Sequence, residues 1–581
     1  MQLTLEQRLM RYLAREQDAE KHQRREIRSQ PLDLRVLEGD CIHDAVYEGR
    51  DAGAFVFACR ENGSKFRGGD KVVVGDGHDL EAGAPLMYRS YESNVGKLRL
   101  ELDPFARNAR VEFKVGQAYV VDRREPEGRS SLASAVREAF ESPWIRDALE
   151  GKRSVTFDEA RRERARVALQ ARGLNAAQIE AGAAAIATEG FVLVQGPPGT
   201  GKTKLLAEVI AAVCSRGGRI ALSAFTHNAV DNALLAIRKV APELDLVKIG
   251  GDTGGVAESR EELRRANVRL GDVRRIRLPD TRVVVAGTCF QFAKLPDDSQ
   301  FHCVVIDEAG QMPISHALPP MLHSKHWLFF GDHMQLPPVT QAEHKDREAA
   351  DSIFGLLHRR YGGHMLDTTY RMNEGVCRLV SETYYGGRLR PDAVATARKL
   401  PFVPGGKLDE ALDPDHPVVW LRVDHRQPGS RSREEANAVA DVVEDLVRQH
   451  GVPMREIAVI APFRAQVQAL REALATKNLP QAADLVCDTV ERIQGQEREA
   501  VVVSLTAGDP EDSRGRGAFH LNENRLNVAI SRARSKVVVV ASSYTFEAVP
   551  EDFDALRTAS RCRELRDRMK MVDVTKLYCG R

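Results

Sequence analysis

The chain has 581 residues, 43% of them apolar and 29% charged, which excludes a fibrous or disordered chain and is too long for one hydrophobic core. Its formal net charge of +1 excludes recruitment of polyanions by bulk charge, so any nucleic-acid site has to be a local patch. The nine cysteines form no Cys-x-x-Cys pair, which argues against a zinc ribbon and a disulfide framework.

The first thirty residues are charged throughout, with Leu5, Leu9 and Leu13 at helical spacing, so a helix is expected rather than a signal peptide. Residues 31–125 change texture. Short runs such as "LDLRVLEGD", "GAFVFACRE", "DKVVVGDG", "KLRLELD", "RVEFKV" and "QAYVVD" alternate with Gly/Asp/Asn turns, the pattern of a small antiparallel barrel. Helical character returns over 126–170. From 191 the strands become continuous apolar runs: "FVLVQG", "RIALSAF", "TRVVVAGT", "FHCVVIDEAG" and "HWLFFGD". Such strands alternating with helices predict a parallel sheet covered on both faces. A second series, "HPVVWLRVD", "EIAVIAP", "AVVVSLT" and "KVVVVAS", predicts a second such domain. The expected division is 1–30, 31–125, 126–170, 171–345 and 346–581. No apolar run approaches the ~20 residues that cross a bilayer, and a cytoplasmic chain without membrane contact is the simplest expectation. The basic stretch Arg260–Arg277 reads equally as a solvated helix face or a nucleic-acid contact.

The segment "VQGPPGTGKTKL" places Gly196, Pro197, Pro198, Gly199, Thr200, Gly201, Lys202 and Thr203 between a strand and a helix, the context of a P-loop. Its glycines let backbone N–H groups wrap phosphates, and the helix N-terminus adds positive dipole. Lys202 is expected to reach the β- and γ-phosphates and Thr203 to ligate Mg²⁺. About a hundred residues on, "CVVIDEAGQ" delivers Asp307 and Glu308 at a strand's carboxyl end. Asp307 suits Mg²⁺, directly or through water, and Glu308 suits orienting and deprotonating a water. In "GDHMQLPPV", Asp332 and Gln335 end the next strand, where a polar group can sense a γ-phosphate. In "LDTTYRMNEG", Tyr370 offers a flat surface to a base and Arg371 a fork to a phosphate.

The ordered set "LNAAQ", "GPPGTGKT", "SAFTHNAVDN", "VVAGT", "DEAGQ", "GDHMQLPP", "TTYRM", "APFRAQ", "DTVERIQGQE" and "NRLNVAISRAR" resembles superfamily 1 helicases, and within them the Upf1-like group that includes the Dna2 and Ighmbp2 relatives. The resemblance implies two tandem RecA-like α/β domains, an N-terminal stalk and a β-barrel accessory domain. It also implies that Gln178 reads the adenine edge of ATP, that Tyr370 stacks on the ring, and that Gly196, Gly199, Gly201, Lys202 and Thr203 cradle the phosphates. Gln335 would sense the γ-phosphate, and Arg371 and Arg532 would be arginine fingers from the second domain. Gln494, Gly495 and Glu497 would couple nucleotide to cleft closure. Thr226, Asn228, Thr288, Arg464 and Thr489 resemble positions that hold a nucleic-acid backbone. Arg534 is left between a nucleotide contact and a helix-end or acidic partner, and Asn524 and Arg525 are read as structural.

Two departures, Ser432 in "SRSREEA" and Met334 in "GDHMQL", lie outside the core chemistry, and the short 240–280 segment leaves little room for a second accessory insertion. The implied activity is ATP- and Mg²⁺-dependent movement, 5′ to 3′, on single-stranded DNA or RNA and tailed duplexes, by a monomer that carries both halves of its ATP site. A nucleic-acid-stimulated ATPase that strips bound protein is the alternative. A nucleotide-gated binder is disfavoured, because it has no use for a complete hydrolytic set.

Overall fold

The computed structural model describes residues 3–37, 39–51, 53–60, 62–64, 66, 70–77, 83–92, 95–102, 111–124, 130–250, 257–272, 278–296, 298–426, 429–493, 495–508, 522–547 and 553–579. Gln494 and the 273–277 part of the basic stretch lie outside the described residues.

The chain opens on a helix, Leu5–Ser29, started by a capping box in which the Thr4 hydroxyl accepts from the Gln7 N–H and the Gln7 side chain accepts from the Thr4 N–H. Its apolar stripe, Leu5, Leu9, Tyr12 and Leu13, packs with Leu132, Val136 and Phe140 of the helix Ser130–Glu141, and this cluster is continuous with the core beneath the first sheet. The stalk is thus part of that core. Among the described residues no helix is long and apolar enough to cross a membrane.

Between the two stalk helices lies a closed antiparallel barrel of Cys41–Asp51, Ala54–Ala58, Lys71–Gly75, Ala84–Glu92, Lys97–Leu102 and Ala118–Arg123. Two expected strands are corrected. "LDLRVLEGD" begins with the helix Leu32–Leu37, which follows Pro31 and carries Asp33 in its first turn; its Arg35 is buried against Asp122 and the Gly77 carbonyl. "RVEFKV" forms no strand over its described residues, and Phe113 instead packs edge-on to Phe55 and Phe57. Two strands that the alternation did not mark are Cys41–Asp51 and Ala84–Glu92, both broken by register shifts that blur a two-residue period.

The first α/β domain has an eight-stranded parallel sheet in the order Arg269–Gly271, Asp245–Ile249, Val283–Thr288, Arg219–Ala224, Cys303–Asp307, Trp327–Gly331, Phe191–Gln195, His364–Met365. The expected boundary at 345/346 is therefore too early. Ile353–Tyr361 packs its Phe354, Leu356 and Leu357 into the first core, and His364–Met365 adds a strand beside the P-loop strand. The second sheet runs Val486–Thr489, Ile457–Ala461, Arg498–Ser504, Ala533–Ala541, Val418–Arg422, Lys570–Asp573, again parallel. Both sheets are flanked by helices with apolar cores on each face, which makes the chain an α/β protein of two tandem RecA-like domains with a stalk and a barrel.

Candidate functional site

The P-loop leaves its strand at Gln195 and enters the helix Lys202–Cys214. Gly199 and Gly201 both have φ near +75°, at 74° and 76°, the left-handed region that side chains rarely adopt. At Gly199 a Cβ would also lie 2.5 Å from Arg371 Cβ and 2.7 Å from Thr369 Oγ1. That crowding records how the segment after the first domain is pressed onto the loop: Thr369 Oγ1 donates to the Pro198 carbonyl (2.9 Å) and the Tyr370 N–H to the Gly199 carbonyl (2.9 Å). Arg371 is thereby fixed against the phosphate loop by its own backbone.

Lys202 Nζ lies 2.9 Å from Asp307 Oδ1 and 2.7 Å from Glu308 Oε1. Burial pushes the ammonium's pKa down, but the two carboxylates more than offset it and hold it above the ordinary lysine value. Burial raises the Asp307 pKa, with Lys202 opposing. Glu308 has φ of +50°, an uncommon left-handed glutamate held where Asp307 Oδ1 accepts its N–H (2.9 Å). Thr203 lies on the first turn of the helix, so Thr203 and Asp307 offer the oxygen donors that suit a hard cation.

Arg371 donates from Nε to Glu497 (2.8 Å) and from Nη1 to the Ser531 carbonyl (3.0 Å), and burial holds its pKa below the usual arginine value. Arg532 is 4% exposed and donates to the carbonyls of Val528 (3.0 Å) and Gln496 (3.4 Å). Burial, and then the Arg371 charge, push its pKa down to about 9, with Glu308 opposing. A guanidinium so placed has its charge poorly compensated until an anion arrives. Arg534 resolves differently: it faces Glu456, Glu499 (3.3 Å) and Glu497 (3.8 Å), so its partners are acidic side chains.

Gln178 is 1% exposed and committed at both ends of its amide. Its Oε1 accepts the Asn175 N–H (3.1 Å) and its Nε2 donates to the Thr200 carbonyl (2.9 Å). It braces the P-loop in this structure. Asn175 in turn donates to the Tyr370 hydroxyl (2.9 Å), whose ring is 41% exposed.

A network that the sequence did not reveal crosses between the sheets. Asp332 accepts from Gln195 (3.0 Å), Gln335 (2.8 Å) and the Tyr385 hydroxyl (2.6 Å). Gln335 also reaches the Gly196 carbonyl at 3.4 Å. Asn527 donates to Tyr385 Oη (3.0 Å) and to the Met334 carbonyl (2.7 Å), and Asn524 donates to the carbonyls of His333 (3.0 Å) and Gln335 (2.5 Å). Asn524 and Asn527 are three apart on one helix, a spacing that puts them on one face and is the signal that could have found them. Tyr385 carried no such signal. Arg525 pairs with Glu491 (3.0 Å) on the second domain's own surface.

Thr226, Asn228, Thr288, Arg464 and Thr489 lie elsewhere. Thr226 caps the helix His227–Val240, whose first turn exposes Asn228; Thr288 ends the neighbouring strand, opposite Ala224. In the second sheet Thr489 ends its strand opposite Ala461, and the exposed Arg464 starts the helix that follows Ala461. Among the described residues these five make no side-chain hydrogen bond or ion pair to the phosphate cluster. They mark the carboxyl edges of the two sheets.

One family model, described as an AAA domain, matches residues 173–277 and 277–343, and a second with the same description matches 349–544. The DNA replication ATP-dependent helicase/nuclease JHS1 of Arabidopsis thaliana is 28% identical over 396 residues, covering 65% of this chain and 29% of the relative. The DNA replication ATP-dependent helicase/nuclease DNA2 of Saccharomyces cerevisiae is 27% identical, covering 65% of this chain and 26% of the relative. The DNA polymerase alpha-associated DNA helicase A of Schizosaccharomyces pombe is 27% identical, with 65% of each chain covered. The match thus spans less than a third of the length of the first two relatives. With the ordered motifs and two facing RecA-like sheets, this chain belongs to the superfamily 1 helicases, in the Upf1-like group that includes Dna2.

Proposed function

We propose that the chain is an ATP-dependent translocase that moves 5′ to 3′ on single-stranded DNA and separates duplex strands ahead of it. The observation that carries this reading is the half-buried Arg371 and the buried Arg532, which stand on the second domain's side of the Lys202–Asp307–Glu308 cluster, Arg371 against Gly199 and Arg532 within electrostatic reach of Glu308. DNA is favoured over RNA because the relatives named above are DNA helicases.

ATP phosphates compete with Asp307 and Glu308 for Lys202. Releasing Glu308 from the lysine leaves its carboxylate to orient a water and accept its proton. Gln335, held by Asp332 beside the Gly196 carbonyl, stands where the γ-phosphate is sensed. Arg371 and Arg532 complete the site by stabilising charge on the transferring group, an effect that contributes ~10³–10⁵ in rate for arginine fingers. Thr203 and Asp307 would hold Mg²⁺, which neutralises phosphate charge when bound. Tyr370 supplies a face for the adenine and Glu497 ties Arg371 to the second domain. Because the fingers sit on a different domain from the phosphates, hydrolysis follows cleft closure, and product loss reopens it. The strand held at Thr226, Asn228, Thr288, Arg464 and Thr489 is gripped alternately by two sheets. Those contacts are to the backbone, so affinity falls steeply with salt and sequence preference is weak.

The test is ATP hydrolysis with and without single-stranded DNA or RNA of one sequence, alongside unwinding of 5′- and 3′-tailed duplexes. The expected result is strong stimulation by DNA, unwinding of 5′-tailed duplexes, and loss of hydrolysis in Lys202→Ala. Hydrolysis indifferent to nucleic acid, or a Lys202→Ala protein turning over at the wild-type rate, contradicts the proposal.

A further inference from the structure

Three rings meet at the carboxyl edge of the first sheet. Phe225 follows the strand Arg219–Ala224 and Phe290 follows its neighbour Val283–Thr288. His316, from the helix Ile314–Met321, stands between them, its ring centroid 5.9 Å from Phe225 at 67° and 5.4 Å from Phe290 at 85°. His316 is buried and Phe225 half-buried, whereas Phe290 keeps 37% of its surface exposed.

The local sequence, Cys289-Phe290-Gln291-Phe292, shows that the core does not need this ring. Cys289 and Phe292 are fully buried, and Gln291 lies against Gly250. A single exposed phenylalanine is ordinary on a protein surface. This one is distinguished by its setting: it is pinned edge-to-face by a buried ring, which restricts its torsions, and it adjoins Thr288. The Thr288 hydroxyl makes no capping bond to the helix that it starts, and exposed Thr226 and Asn228 begin the adjacent helix. Hydroxyls and an amide suit phosphate oxygens. A fixed aromatic face beside them suits the base attached to those phosphates.

We infer that Phe290, backed by His316 and Phe225, is a stacking platform for one nucleobase of the bound single strand. This rests on the proposed function and deepens it. The backbone contacts supply grip that is blind to the base, and the platform adds a contact that any base can make, because each has a π-face.

The experiment is a two-by-two binding cycle. Wild-type and Phe290→Ala chains are titrated with a short single-stranded DNA and with the same backbone made fully abasic, at fixed salt, with Phe290→Trp and Phe290→Leu as further arms. Thermal unfolding midpoints check that each variant is folded. The expected result is that wild type binds the base-bearing strand about fivefold or more tightly than the abasic one, and that Phe290→Ala loses that preference. Tryptophan should retain it and leucine should not. A wild-type chain that binds both strands equally overturns the platform and leaves the translocase reading standing, as does a leucine variant indistinguishable from wild type. A wild-type chain that binds neither strand overturns the proposed function, and this inference with it.

Discussion

Two arginines two positions apart, Arg532 and Arg534, face opposite electrostatic surroundings. Arg532 is enclosed with carbonyls and no carboxylate within ion-pair distance among the described residues, while Arg534 is surrounded by Glu456, Glu497 and Glu499. Removing Arg534 strands part of an acidic cluster, so Arg534→Ala should lower the unfolding free energy by about 1–3 kcal/mol. Removing Arg532 deletes a buried cation whose charge is poorly compensated, so Arg532→Gln should cost less, or stabilise. Urea unfolding midpoints of the two variants check the order, and Arg532→Gln as the less stable protein contradicts it. That an arginine beside a core strand had something anionic to meet was legible in "SRARSKVVVV". Which arginine meets side chains was not, because Glu456 lies 78 residues away in sequence.

The helix Glu523–Ile530 is the element that ties the second domain to the 332–335 loop of the first. Its Asn527 donates across the cleft to Met334 O and, within the second domain, to Tyr385 Oη, which in turn donates across to Asp332. At about 1 kcal/mol, losing the bond to Met334 shifts the closing equilibrium by about fivefold. Asn527→Ala should therefore cut DNA-stimulated hydrolysis by about that factor and leave nucleotide affinity nearly unchanged; steady-state kinetics beside nucleotide titration checks this, and an equal loss in both contradicts it. At this scale the sequence was legible where one period dominated. The fully apolar parallel strands and the P-loop stood out because burial on both faces and phosphate geometry leave few residue choices. The barrel's Cys41–Asp51 and Ala84–Glu92 were hidden by register shifts, and Leu32–Leu37 alternated like a strand yet folded as a helix after Pro31.

Across the whole molecule, the P-loop cluster of one sheet meets two arginines from beside the other, and the stalk braces the first domain. Arg8 grips Asp346 with two bonds of 2.6 Å and reaches Glu348 at 2.8 Å, while the Glu16 carboxylate accepts from Gln341, Ala342 and His344. The segment 341–348, which leads from the Gln335 loop to the first domain's last helix, Ile353–Tyr361, is thus held by the N-terminal helix. Architecture was legible from texture and motif order, but this brace and the Asp332–Tyr385–Asn527 bridge were not, since each joins residues that neither period nor motif connects. Hydrolysis is expected to wait for the second domain's arginines. That dependence is tested most directly by measuring ATP affinity and DNA-stimulated kcat for wild type and Arg532→Ala. ATP affinity is expected within a few-fold of wild type, and kcat lower by about 10³-fold or more. A kcat unchanged, or a loss of affinity as large as the loss of kcat, would contradict it.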